Sequence, residues 1–178
     1  GMVLTGMKLG VNKLISMYGR EKTQEMYAAS LKSIECVEQI VKDESIECNF
    51  SRCGHLEVAC KQKHFDEYER QAEVVAREFN HELRVVQKNE LGGEIGSKIY
   101  YGGMVDDVSA GVNPARYVAG LAGTAQRAGA CIYERTRVQL MERSSRNGSA
   151  GWNLVTSRGR LRARDVMVAT SGYTGKAT

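Results

Sequence analysis

Thiols and imidazoles crowd one short stretch of this sequence: Cys48, Cys53, His55, Cys60 and His64. A tetrahedral zinc site needs four such ligands converging. The spacings, four intervening residues, then one, four and three, match no familiar zinc pattern. On strands Cys53 and His55 would share a face and Cys60 would not. The expectation is small buried or idle thiols and no metal site. A second candidate, Gly92-Gly93-Glu94-Ile95-Gly96, is rich in glycine but lacks the G-x-G-x-x-G order and follows a polar segment. Neither that motif nor G-x-x-x-x-G-K-[ST] occurs anywhere in the chain. No Ser-His-Asp set stands out, and His55, His64 and His81 fall in segments that read as ordinary strand and helix surface. Asp106-Asp107 reads as either an acid pair or turn and capping residues, the latter expected before a helix. Tyr100-Tyr101 would either line a pocket or sit on the two faces of a sheet.

The arginines form the other chemical feature. Arg158, Arg160, Arg162 and Arg164 alternate, which places all four on one face of a strand opposite Leu161 and Ala163. The basic residues of 135–164 read as a solvated strand face or, alternatively, as a binding module's contact for an acidic partner. No aromatics interleave on that face, which argues against a platform for nucleic acid. Next comes Val166-Met167-Val168-Ala169-Thr170, an apolar run with no polar face, expected to be a strand buried on both sides. Ser171-Gly172-Tyr173-Thr174-Gly175 follows it. In a parallel sheet ligands sit outside the carboxyl ends of the strands. If the neighbour of that strand is missing, its exposed edge invites pairing with a second chain, so a homo-oligomer is expected.

The totals bound the class. At 178 residues there is room for one domain or two small ones. A hydrophobic fraction of 42% supports a core, and a single proline argues against disorder. The net charge of +4 is mildly basic. No apolar run approaches the ~18 residues that span a bilayer, and no signal peptide is evident. Five cysteines without a C-x-x-C pair point to free thiols in a reducing compartment. A cytoplasmic protein is the expectation.

Several elements must position these residues. Met7, Val11, Leu14 and Ile15 have the spacing of a short helix. From about Glu21 to Asp43, Met26, Leu31, Ile34, Val37, Ile40 and Val41 mark an amphipathic helix. Two strands are predicted over Cys48–Arg52 and His55–Cys60, a helix over Lys61–Asn80, and strands at Leu83–Val86 and Ile99–Val105. Asn113-Pro114 opens the best-marked helix, with Asn at the cap, Pro at the first position and Gly129 closing it. Tyr117, Val118, Leu121, Ala122, Ala125 and Ala128 would line one face. Cys131–Tyr133, Arg137–Met141 and Trp152–Thr156 follow as extended segments, with a loop at Ser144–Gly151 and a tight turn at Ser157–Gly159. The fold class is therefore mixed α+β. The expected organisation is a helical segment (1–45), an α+β piece (46–105), and a piece with helix, meander and buried strand (106–178).

The ordered set Asn113-Pro114 to Leu121, Ala128-Gly129-Ala130, Glu134-Arg135-Thr136-Arg137-Val138, Trp152–Gly159 and Val166–Thr174 resembles the FAD-dependent D-amino-acid oxidase superfamily. The nearest branch is that of glycine/D-amino-acid oxidases and gamma-glutamylputrescine oxidase-like proteins. Upstream, Cys48–Ala59 resembles the family's strand pair, and Gly1-Met2-Val3-Leu4 falls at the tail of its Arg-Asn-Gly-Gly-Gln segment. The resemblance implies an internal piece of a longer enzyme, because the family's G-x-G-x-x-G turn lies before Gly1 and most of its substrate and catalytic region lies after Thr178. It implies FAD as cofactor, a small-molecule amine or amino acid as substrate, and oxidation of a C–N bond. It makes 46–105 part of the substrate domain and 106–178 part of a partial FAD-binding domain with an antiparallel meander. Carried across, Val138 would offer its backbone to the adenine, and Ala169, Thr170 and Gly172 would pass near the phosphates and ribose. Gly1 and Met2 would lie near the flavin, with Met2 in place of the usual glutamine. No catalytic residue carries over, and the isolated chain is expected not to hold FAD.

Overall fold

The computed structural model describes residues 1–146 and 149–173, which fall into two compact units divided after Ala128. The first is built around a three-stranded antiparallel sheet of β2 (His55–Val58), β4 (Gly102–Asp106) and β3 (Arg84–Gln87), in the order β2-β4-β3. All five residues of β4 are buried, because both of its faces are covered. Residues directly opposite in an antiparallel pair share a face. Glu57, Met104 and Val85 thus lie on one side, and Leu56, Val105 and Arg84 on the other.

Helix α3 (Gln62–Phe79) covers the first face, with Phe65 and Tyr68 against Ala59 and Met104. The turn at Leu91–Gly93 covers the second, where Leu91 packs with Val86 and Val105 and with half-buried Tyr100. Gly102 is required by this packing. A Cβ there would sit 2.3 Å from the Phe65 ring, far inside contact distance.

Two more helices, α1 (Val11–Tyr18) and α2 (Arg20–Asp43), pack on the other side of α3. Val11, Tyr27 and Val75 form their shared core, and the Tyr27 and Phe79 rings stack with centroids 4.3 Å apart. The buried stripe of α2 is Thr23, Tyr27, Ser30 and Ile34. It is rotated from the expected stripe because hydroxyls can be buried when they bond: Thr23 donates to Gly19 O at 2.7 Å and Ser30 to Tyr27 O at 2.7 Å. The short strand β1 (Met2–Val3) pairs antiparallel with β5 (Ala110–Gly111).

Helix α4 (Pro114–Arg127) begins as expected, since Arg116 N donates to Asn113 Oδ1 at 3.1 Å. Gly129 takes a left-handed φ of 96° just after it. On its predicted face Tyr117, Leu121, Ala122 and Ala125 are half-buried, whereas Val118 and Ala128 are exposed.

The second unit is a meander of β6 (Val138–Arg146), β7 (Ser149–Thr156) and β8 (Gly159–Ala163), all antiparallel. Leu154 is buried, with Met141 and Leu161 opposite it on the same face. The fold class is the expected mixed α+β.

Four local expectations are corrected. Cys48–Arg52 is irregular and makes only a bridge from Ser51 to Gly111. Cys131–Tyr133 is not a strand. The Ser144–Gly151 loop is mostly strand, since β6 runs to Arg146 and β7 starts at Ser149. Val166–Thr170 is neither a strand nor buried; Met167 is 91% exposed. An apolar run becomes a buried strand only where partners take its backbone bonds and cover both faces. Among the described residues no strand pairs with it. Thr174 and Gly175 lie outside the described residues.

Candidate functional site

In the first unit the polar chemistry converges on Asp106, at the end of β4. Its carboxylate is 7% exposed and accepts four hydrogen bonds. The Thr5 hydroxyl donates to Oδ2, as does Ser109 Oγ at 2.8 Å. Val108 N donates to Oδ1 at 3.1 Å, and His81 Nε2 lies 3.1 Å from the same oxygen. An ionised carboxylate only accepts, so the His81 nitrogen carries the proton between them. Burial alone would raise the Asp106 carboxyl, but the bonds from His81, Thr5, Ser109 and Val108 N outweigh it and hold it well below the usual carboxylate range. Burial also pushes the Tyr27 phenol up to about 12; the Asp106 charge adds to this and the Thr5 hydroxyl opposes it.

A cavity of about 230 Å³ opens beside this network. Its apolar lining includes Met7, Val11 and Met104, and its polar lining includes His55, Glu57 and Gln71. The sheet sets this up: His55 and Asp106 are opposite one another, as are Glu57 and Met104, so all four lie on one face.

Asp106 is therefore more than a turn residue. It does close a turn onto Val108, but it is also the best-connected buried acid described, while Asp107 is exposed, 3.7 Å from Arg84. His81 corrects the expectation of surface histidines, for it is 6% exposed. The one available signal was alternation, which places Asp106 on the inward face with Met104. Its partner is 25 residues away, a separation that no local pattern reports. Cys48 is buried, and Cys36, Cys53, Cys60 and Cys131 are exposed free thiols. Among the described residues no three His, Cys, Asp or Glu are placed to hold a metal ion. Tyr100 and Tyr101 lie in the bend before β4 rather than in a strand: the first packs on Leu91 and Val86, and Lys88 Nζ lies 4.9 Å from the ring of the second.

In the second unit Val138 begins β6, opposite Thr156. Ser157 fixes the preceding residue from both sides, its N donating to Arg137 O at 2.9 Å and its Oγ accepting from Arg137 N at 3.2 Å. The register shifts between Val138 and Leu140. Such a bulge on an outer strand leaves backbone groups unpaired. Ala169 and Thr170 are exposed, and Gly172 lies in the short turn Ser171–Tyr173 with open space where a Cβ would be. The arginine strip is only partly a strand face. Arg160 and Arg162 lie in β8, Arg158 in the turn before it and Arg164 beyond its end. Opposite the first two on the same face stand Val155 and Asn153, and then Leu140 and Glu142, so that face is mixed rather than basic. Arg143 instead stacks on Trp152, 5.3 Å from the ring centre.

A family profile described as FAD dependent oxidoreductase, DAO, matches residues 2–178. The chain belongs to the FAD-dependent oxidoreductase family. FAD is that family's cofactor. Similar curated proteins include a probable oxidoreductase, OrdL, of Haemophilus influenzae, 25% identical over 97% of this chain and 39% of that protein. Another is the gamma-glutamylputrescine oxidoreductase of Escherichia coli K12, 23% identical over 98% of this chain and 40% of that protein. The chain thus spans about two fifths of the length of these relatives. Among solved structures, glycine oxidase from Geobacillus kaustophilus has a TM-score of 0.69 at 23% identity, over 95% of this chain and 43% of that one. L-amino acid deaminase from Proteus myxofaciens has 0.65 at 16% identity, over 90% and 34%. These two likenesses show a shared fold. Among the described residues no helix is long and apolar enough to cross a membrane.

Proposed function

We propose that this chain is an internal portion of an FAD-dependent enzyme that oxidises a C–N bond of a small-molecule amine or amino acid. The observation that carries the reading is the family match over residues 2–178, in a chain spanning 39–40% of its curated relatives. On this reading 46–105 belongs to the substrate domain and 106–178 to the FAD domain. The residues proposed to meet the cofactor are Val138, Ala169, Thr170 and Gly172. They fit in one respect: the bulged start of β6 presents backbone that could bond an adenine edge, and the other three are exposed, with space at Gly172 for close backbone approach. When bound, FAD would supply the capacity to accept a hydride from the carbon bearing the nitrogen. This chain's share is to orient and bind, and no catalytic residue is assigned to it.

A cytoplasmic setting and self-association belong to the same reading. The first is supported by five free thiols. The second does not rest on Val166–Thr170, which is no strand, but on β6 and β8, each of which pairs on one side only among the described residues.

The chain on its own is expected to be inactive and to lose FAD, because its sequence carries no G-x-G-x-x-G turn to hold the pyrophosphate. Purified chain mixed with excess FAD should emerge from desalting without a flavin spectrum; retained yellow colour overturns this part. The same segment expressed within its full reading frame should copurify with flavin, and that flavin should bleach anaerobically with an amine or amino acid. Flavin absent from that longer protein would sink the reading as a whole.

A further inference from the structure

Asp106 accepts from four donors in three places at once: the N-terminal segment (Thr5), the residues before β3 (His81), and the turn after β4 (Val108 N and Ser109). Its acceptor sites are filled, so it is not free to bind a ligand of its own. What it does hold is informative. Thr5 comes two residues after β1, and Ser109 immediately precedes β5. Thr5 N also lies 3.4 Å from Ser109 Oγ. The bonds between Gly1 and Val112 continue the β1–β5 ladder on its other side, with Val112 N donating to Gly1 O at 2.9 Å. A ladder of two residue pairs is marginal by itself.

We propose that Asp106 is a positioning residue that holds Gly1–Thr5 in register on β5, with the Thr5 hydroxyl as the clasp. A one-residue slip would turn every side chain of the segment to its other face; the clasp makes that slip cost a bond to a buried carboxylate. Gly6 N donates to Ser30 Oγ at 2.9 Å and anchors the following residue on α2, so Thr5 is the last point at which the direction of β1 is set. The consequence for function rests on the proposed FAD-dependent reading together with the family resemblance, which implies that Gly1 and Met2 lie near the flavin: Asp106 would then determine where that backbone lies without touching the cofactor.

Amide hydrogen exchange on the flavin-free chain tests the clasp directly. Alternation of bonded pairs places the protected amides of this ladder at Val3, Ala110 and Val112. Thr5→Val keeps the shape and removes the donor; it should speed exchange at those three amides by about tenfold, as expected for losing one bond to a charged group. Exchange in α3 and β4 should not change. Thr5→Ser should restore protection, and Ser109→Ala should produce a smaller increase at the same three amides. Unchanged exchange there in both Thr5→Val and Ser109→Ala, or a uniform rise across the chain, overturns the proposal. Because no cofactor is present, this outcome is separate from the FAD retention test, and either can fail alone.

Discussion

Two three-stranded antiparallel sheets in one chain have opposite surroundings. In β2-β4-β3 the central strand is wholly buried between α3 and the Leu91 turn. In β6-β7-β8 Leu154 is buried, while Val138, Leu140 and Leu161 are each more than two-fifths exposed. The strands do not explain this, since both sheets carry apolar residues on both faces. The cover does: an amphipathic helix lies against the first sheet, and the second unit has no α-helix among its described residues. The stability of a sheet face belongs to whatever packs on it.

The largest expected effect tests that cover. Phe65 is 5% exposed, with Gly102 opposite its ring. Phe65→Ala should cost about 3–5 kcal/mol in urea unfolding followed through the first unit. A loss below about 1 kcal/mol would mean that α3 does not hold the sheet as described.

Much of the first unit was legible for physical reasons. The helices α2 and α3 bury stripes at a period near 3.6, and Asn113-Pro114 marks the start of α4 through an actual cap bond. The family resemblance was legible because several weak motifs occur in a fixed order, and the profile match covers that whole order. Val166–Thr170 was misread because an apolar run has no alternation to say which face, if either, is covered. The Asp106 network was missed for a different reason. His81 and Thr5 reach it across separations of 25 and 101 residues, and no spacing rule links a threonine in a glycine-rich leader to an acid in a distant strand.

The next effect is acid sensitivity, and it should be confined to the first unit. The folded Asp106 carboxyl is held below its unfolded value of about 3.9. Its contribution is thus fully present above that value and is lost as pH falls from it toward the folded pKa. Between about pH 6 and about pH 3, the urea midpoint of the wild type should fall more than that of Asp106→Asn, which has no such proton to gain. Parallel curves for the two proteins would show that the network contributes nothing through its charge.

The smallest effect belongs to the meander. Leu161 is 52% exposed on the face it shares with Leu154. Leu161→Thr keeps a residue suited to strands, and in dilute protein it should change stability by no more than about 0.5 kcal/mol. The contrast with Phe65 is the point, because both side chains are apolar, but one seals a covered sheet from α3 and the other stands on an uncovered one. A second copy covering this face would make the cost grow with protein concentration, since association stabilises by mass action. Repeating the measurement across a concentration series therefore separates a face that is simply solvated, for which the small value holds throughout, from one that gains its cover from another chain.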